Sequence, residues 1–130
     1  MINDMRKIKL GEVYTPDELN FSEDFIQSVV FKALWNKHPE HRYRFFAIPN
    51  GGSRNKVEAA KMKGTGTLAG VWDFVVLKKN GTAVFVEFKA PKKQLTAEQL
   101  IFAELNENFD FFVFDNAEIA INEILKILNE

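Results

Sequence analysis

Two short apolar runs, Phe74-Val75-Val76-Leu77 and Ala83-Val84-Phe85-Val86, stand on either side of Lys78-Lys79-Asn80-Gly81. Runs of this length, rich in β-branched and aromatic residues and parted by an Asn-Gly step, predict two adjacent antiparallel strands joined by a hairpin. Because strand side chains alternate between faces, Val84, Val86 and Phe88 point into a core, and Glu87 and Lys89 share the other face. Elsewhere the period changes. Ile26, Val29, Val30, Ala33 and Leu34 recur three and four residues apart, which predicts a helix from Phe21 to Lys37 with Asn20 or Ser22 as cap and Pro39 as stop. Arg44 to Ile48 reads as a strand ending at Pro49, and Lys56 to Lys63 as a short helix closed by Gly64. Thr96-x-x-Gln99 is a capping box that opens a helix through Asn106. Asp110 to Phe114 is apolar on both faces, which predicts a central buried strand. A last helix, Ala117 to Leu128, puts Ile121, Ile124, Leu125 and Leu128 on one face, flanked by Ile119 and Ile127. The order of elements predicts one α/β domain around a mixed sheet.

Composition sets the outer limits. A chain of 130 residues with 46% hydrophobic residues and 13 phenylalanines buries a real core without help from disulfides or structural metal. With no cysteine, thiolate metal sites and thiol redox chemistry are excluded, and a reducing cytoplasm is compatible. No apolar run approaches the length of a membrane span. Residues 1–18 show no clear period, and the segment through Leu19, with Ile8, Leu10, Val13 and Tyr14, reads as an arm or a dimer contact. The net charge of −1 hides a division: His38 to Lys93 carries eleven Lys/Arg against four Asp/Glu, +7, whereas Gln94 to Glu130 carries one against eight, −7.

The candidate chemistry lies in the basic third. Asp73 follows Gly70-Val71-Trp72 at the mouth of the first run, and the hairpin brings it near Glu87. Two carboxylates held together resist joint ionisation, and a divalent cation with an ammonium nearby, here Lys89, relieves them. A basic surface around such a centre suits a phosphodiester substrate. Glu87-x-Lys89 alone more commonly describes a solvated pair on a strand edge; what separates the two readings is that both charges lie inside an apolar run, with an acid on the partner strand and a glycine-rich approach before it. Asn50, Ser53 and Arg54, in a glycine-containing loop after the first strand, and Lys92 and Lys93 after the hairpin are candidates for phosphate contact. Gln99 is explained by its capping box, and its place beside the strand of Lys89 offers a second role. Glu23 is either a first-turn acid favoured by the helix dipole or a functional carboxylate beside the apolar stripe.

Taken together, Asn50-Gly51-Gly52 with Arg54, Glu58-Ala59-Ala60-Lys61, Gly66 with Ala69-Gly70-Val71-Trp72-Asp73, Val84 to Pro91, and Leu95-Thr96-Ala97-Glu98-Gln99 resemble the VRR-NUC family of the PD-(D/E)XK nuclease superfamily. The resemblance runs from about Glu23 to Phe114. It departs from the family at Trp72, where proline is usual. It implies a restriction-endonuclease-like α/β core in which Asp73, Glu87 and the backbone carbonyl of Phe88 hold Mg²⁺ or Mn²⁺, with Glu23 contributing through water. Lys89 would orient the attacking water and steady charge on the phosphate, and Gln99 would complete the site. The activity implied is a structure-selective DNA endonuclease acting as a homodimer, Holliday-junction resolution included, in a bacterial or phage-infected cytoplasm. The alternatives are a catalytically silent nucleic-acid-binding module and the nuclease subunit of a repair or restriction assembly.

Overall fold

The computed structural model describes residues 22–49 and 55–130. Helix α1 (Glu23–Lys37) begins where Ser22 accepts the N–H of Phe25 at 3.2 Å, which decides between the two expected caps. It starts two residues later than the pattern predicts, because the residue whose side chain closes the first turn stays outside the helix. Asn20 and Phe21 lie outside the described residues. A single 3₁₀ turn (Pro39–His41) follows, as the proline dictates.

Four strands, β1 (Phe45–Ala47), β2 (Phe74–Leu77), β3 (Ala83–Phe88) and β4 (Asp110–Phe114), form one sheet in the order β1-β2-β3-β4. The first three are antiparallel, and β3 and β4 are parallel. Between β1 and β2 lies helix α2 (Lys56–Gly64); helix α3 (Ala97–Leu105) connects β3 to β4, and α4 (Ala117–Asn129) closes the chain. The mixed sheet with helices is the α/β class that the pattern predicts. At the hairpin Gly81 takes φ +93°, and the Lys78 N–H donates to Thr82 O at 2.8 Å.

Alternation along the strands builds two apolar layers. On one face Phe45, Phe74, Val76, Val84, Val86, Phe88 and Phe114 pack against Ile26, Val30, Ala33 and Leu34 of α1 and Ala120, Ile121, Ile124, Ile127 and Leu128 of α4. On the other, Phe85 stacks on Phe111 with ring centroids 5.4 Å apart, and Phe102 of α3 meets both rings edge-on.

Two expectations are corrected here. The β4 strand is not central: among the described residues it is the edge of the sheet, with Val113 46% exposed. It is apolar on both faces because a helical layer covers each of them, Phe111 lying against Phe102 and Phe114 in the main core. Ile127 does not flank the buried face of α4; it is within that face, while Leu125 is half-buried and Ile119 is 55% exposed. The apolar stripe is therefore rotated slightly from the predicted one.

Candidate active site

The sheet register brings the acidic pair together. Phe74 pairs with Val86, so one step further along the ladder Asp73 comes opposite Glu87. Directly opposed residues of antiparallel strands project to the same face. The backbone N–H of Asp73 donates to Glu87 Oε1 at 3.2 Å, and Gln99 Nε2 donates to Oε2 at 3.0 Å. Glu87 is thus held at both oxygens while only 1% exposed, and Lys89, two residues on, is 6% exposed. Charged side chains this deeply buried are uncommon unless partnered. The solvated-edge reading of the Glu-x-Lys pair is excluded by that burial.

Burial, followed by the neighbouring negative charge of Asp73, pushes the Glu87 carboxyl up to about 7; the Asp73 backbone N–H and the Lys89 ammonium act in the opposite direction. A carboxyl with this midpoint changes charge near neutrality. A cation placed between the two acids would remove the repulsion that raises it.

The first turn of α3 supplies the rest of the frame. Thr96 accepts the Gln99 N–H at 3.1 Å, and Gln99 Oε1 accepts the Thr96 N–H at 2.9 Å, the capping box read from the sequence. The same side chain spends its amide N–H on Glu87, so capping and site organisation are one arrangement rather than alternatives. Trp72, 2% exposed, donates its indole N–H to Gln99 O at 2.9 Å and meets Phe111 edge-on at 4.9 Å. Gly70 lies so close to this turn that a Cβ on it would sit 2.6 Å from Glu98 C, O and Cβ. The segment 70–73 therefore clamps the start of α3, and α3 in turn clamps Glu87.

Neither Gly70 nor Trp72 stands out as a site residue in the sequence. The available signal was the tryptophan beside Asp73 itself: an indole has a donor that, once buried, needs an acceptor. Trp72→Phe is expected to cost roughly 2 kcal/mol of stability, from one lost hydrogen bond and the volume removed. Chemical denaturation measures it.

The other candidates divide. Lys92 and Lys93 are exposed on the turn after Lys89, where Lys92 takes φ +72° and the Lys93 N–H donates to Ala90 O at 3.0 Å. Asn50, Ser53 and Arg54 lie outside the described residues. Glu23 is half-buried in the first turn of α1, consistent with a dipole-stabilising acid. Among the described residues no group of three or more Asp, Glu, His or Cys is gathered to hold a metal. Arg42 and Arg44, in the same basic stretch, turn inward. Arg42 Nε donates to Trp35 O at 2.9 Å and its guanidinium lies 4.6 Å from the Trp35 ring centroid; Arg44 Nη1 donates to Leu128 O at 3.1 Å at the end of α4. They make these contacts to the fold while staying partly exposed.

Over 82% of its length the chain is similar to a solved structure named a VRR_NUC domain protein, 87% of which is covered, with a TM-score of 0.62 and 22% identity. No family model and no curated protein matches the chain. The fold is accordingly that of a VRR_NUC domain, with a mixed four-stranded sheet and flanking helices. Among the described residues, no helix is long and apolar enough to cross a membrane.

Proposed function

We propose that the protein is a metal-dependent DNA endonuclease of VRR-NUC type, hydrolysing phosphodiester bonds at Asp73, Glu87 and Lys89. The observation that carries this reading is a buried Glu87 held by the Asp73 N–H and the Gln99 amide, with a buried lysine two residues on. Hydrophobic burial of two opposite charges beside a second acid is costly for a protein that uses them only to fold. The similarity in fold to a VRR_NUC domain protein supports the same reading.

The donors fit a hard divalent cation. Two carboxylates, of which Glu87 is pushed towards protonation by burial and then by Asp73, would hold Mg²⁺ or Mn²⁺ together with the backbone carbonyl of Phe88. When bound, such an ion lowers the pKa of water and neutralises charge building on phosphate. The chain's own residues do the remainder. Gln99 and the Asp73 N–H fix the direction of the Glu87 oxygens, the protein surroundings exclude bulk water from it, and Lys89 places a positive charge where the phosphate becomes more negative. Lys92 and Lys93 take up flanking phosphates as exposed cations.

Structure selectivity, Holliday-junction resolution included, and a two-fold dimer belong to the same proposal. A dimer would offer two sites to a substrate with two-fold symmetry. Leu100, Ile101 and Leu105 of α3 and Ile119 of α4 remain exposed as apolar surface for such a contact. The test is a cleavage assay of purified protein on linear, flap, splayed and four-way DNAs with and without Mn²⁺. Metal-dependent nicking of branched substrates ahead of linear duplex is expected; binding without cleavage under every condition would leave the silent module in its place. Light scattering showing a mass near one chain, 14.9 kDa, with and without DNA would remove the dimer.

A further inference from the structure

Helix α2 is the one described helix, besides α3, with no buried residue, and even Met62, its most covered side chain, is only half-buried. Helices of nine residues are too short to be stable in water on their own, and most gain their stability from an apolar face packed on a core. Here the ends are instead tied locally. Asn55 accepts the Glu58 N–H at 2.8 Å, Thr65 Oγ1 donates to Lys61 O at 2.8 Å, and the Thr67 N–H donates to Met62 O at 2.9 Å. The helix is built to stand at the surface.

Its side chains are sorted. At about 100° per residue, Lys56, Val57 and Ala60 fall on the side opposite Met62, with Lys61 and Lys63 at the two edges of that band. Val57 is 78% exposed there. Glu58 lies on the Met62 side, outside that band and one turn before Lys61. The outward band thus carries three lysines and no carboxylate, with Ala60 and the exposed Val57 between them.

The backbone fixes where the segment that carries α2 meets the sheet. Chain leaves the sheet at Ile48, whose N–H donates to Asp73 O at 2.7 Å, and it returns to the sheet at Asp73. The excursion that carries α2 therefore starts and finishes at one of the two acidic residues. Gly70, pressed against the start of α3, fixes the returning limb.

We propose that the outward face of α2, formed by Lys56, Lys61 and Lys63 around Ala60, is a docking surface for the phosphate backbone of duplex DNA beside the scissile bond. This rests on the nuclease reading and extends it by assigning the substrate contact to a helix outside the catalytic frame. Charge complementarity selects the occupant: three cations spread over one band with no carboxylate within it match the regularly charged backbone of a polyanion.

The experiment compares wild type, the triple variant Lys56→Gln/Lys61→Gln/Lys63→Gln and the control Lys126→Gln. Lys126 lies on α4, 72% exposed and paired with Glu123 at 3.2 Å. Glutamine is a good helix former and the lysines are exposed, so the triple variant folds. Binding to a labelled 30-base-pair duplex is read by anisotropy in EDTA from about 50 to 200 mM salt. If all three lysines meet phosphates, the logarithmic salt slope flattens by roughly 2 to 3 in the triple variant, at about 0.9 per contact, and stays as in wild type for Lys126→Gln. Cleavage of the same duplex in Mn²⁺ shows the triple variant raised in KM with kcat kept. Wild type that binds and cuts alongside a triple variant with an unchanged slope overturns the assignment to α2 and leaves the nuclease reading standing. Equal weakening by Lys126→Gln also overturns it, since net charge alone would then explain the loss. Wild type that neither binds nor cuts overturns the nuclease reading and this surface with it.

Discussion

Glu87→Gln is expected to abolish cleavage, by roughly 10³-fold or more, while making the metal-free protein more stable at pH 8. The activity loss follows because an amide supplies neither the negative ligand nor the charge that opposes the cation in the transition state. The stability gain comes from the same burial. Glu87 in the folded protein is pushed up from its ordinary value of 4.5 to about 7, first by desolvation and then by Asp73. For an acid whose pKa is raised on folding, the native state binds the proton more tightly than the unfolded chain does. Stability is therefore highest below about 4.5 and is lost as pH rises through 7. A shift of that size corresponds to roughly 3 kcal/mol. Glutamine avoids the charge but cannot satisfy both the Asp73 N–H and the Gln99 amide as acceptor, which returns about 1 kcal/mol. The net expectation at pH 8 in EDTA is a gain of about 2 kcal/mol over wild type, turning into a loss of about 1 kcal/mol near pH 4, where only the lost hydrogen bond counts, measured by urea unfolding. A variant that lost stability at pH 8 would show that Glu87 serves the fold, and cleavage at the wild-type rate would place the chemistry elsewhere.

Gly70→Ala is expected to cost about 3 kcal/mol and most of the cleavage activity with it. Two effects combine. Gly70 has φ +90°, a conformation that costs an L-residue about 1–2 kcal/mol. The added Cβ would also lie 2.6 Å from Glu98 C and O, which are backbone, so the first turn of α3 has to move. Overpacking of this kind costs a further 1–3 kcal/mol or so. The displaced turn carries Gln99, and through it one of the two hydrogen bonds that orient Glu87. Gly66→Ala is the comparison: its φ is +108° but nothing lies within 4 Å, so only the backbone cost of about 1–2 kcal/mol applies and cleavage is kept. Equal losses for the two variants, read by denaturation and by cleavage rate, would mean that the contact with α3 plays no part.

Much of this architecture could be read from local pattern. The strands of the hairpin, the helix from Glu23 to Lys37 behind its Ser22 cap and the α3 capping box are short-range features, settled by alternation, by a cap and by a turn residue within a few positions of one another. The pairing of Asp73 with Glu87 was legible for the same reason, since a tight hairpin fixes register. The position of β4 was not. An apolar strand is apolar because both faces are covered, and covering helices and neighbouring strands leave the same mark in sequence; only the sheet order separates them. Likewise Ile127 and Leu125 exchange places by a rotation smaller than the resolution of a helical wheel.

The sequence by itself determined the chemical inventory: oxygen donors and an ammonium within one hairpin, no thiols, and a basic middle third. Tertiary structure decided how that inventory is divided. It buried Glu87 and Lys89 while leaving Lys92, Lys93 and the α2 lysines outside, and turned Arg42 and Arg44 inward to Trp35 and Leu128. It also gave Trp72 and Gly70 their task. Contacts between residues 70–73 and the start of α3 join parts of the chain more than twenty residues apart, and no local periodicity records which distant backbone a buried indole donates to or which glycine must leave room for it.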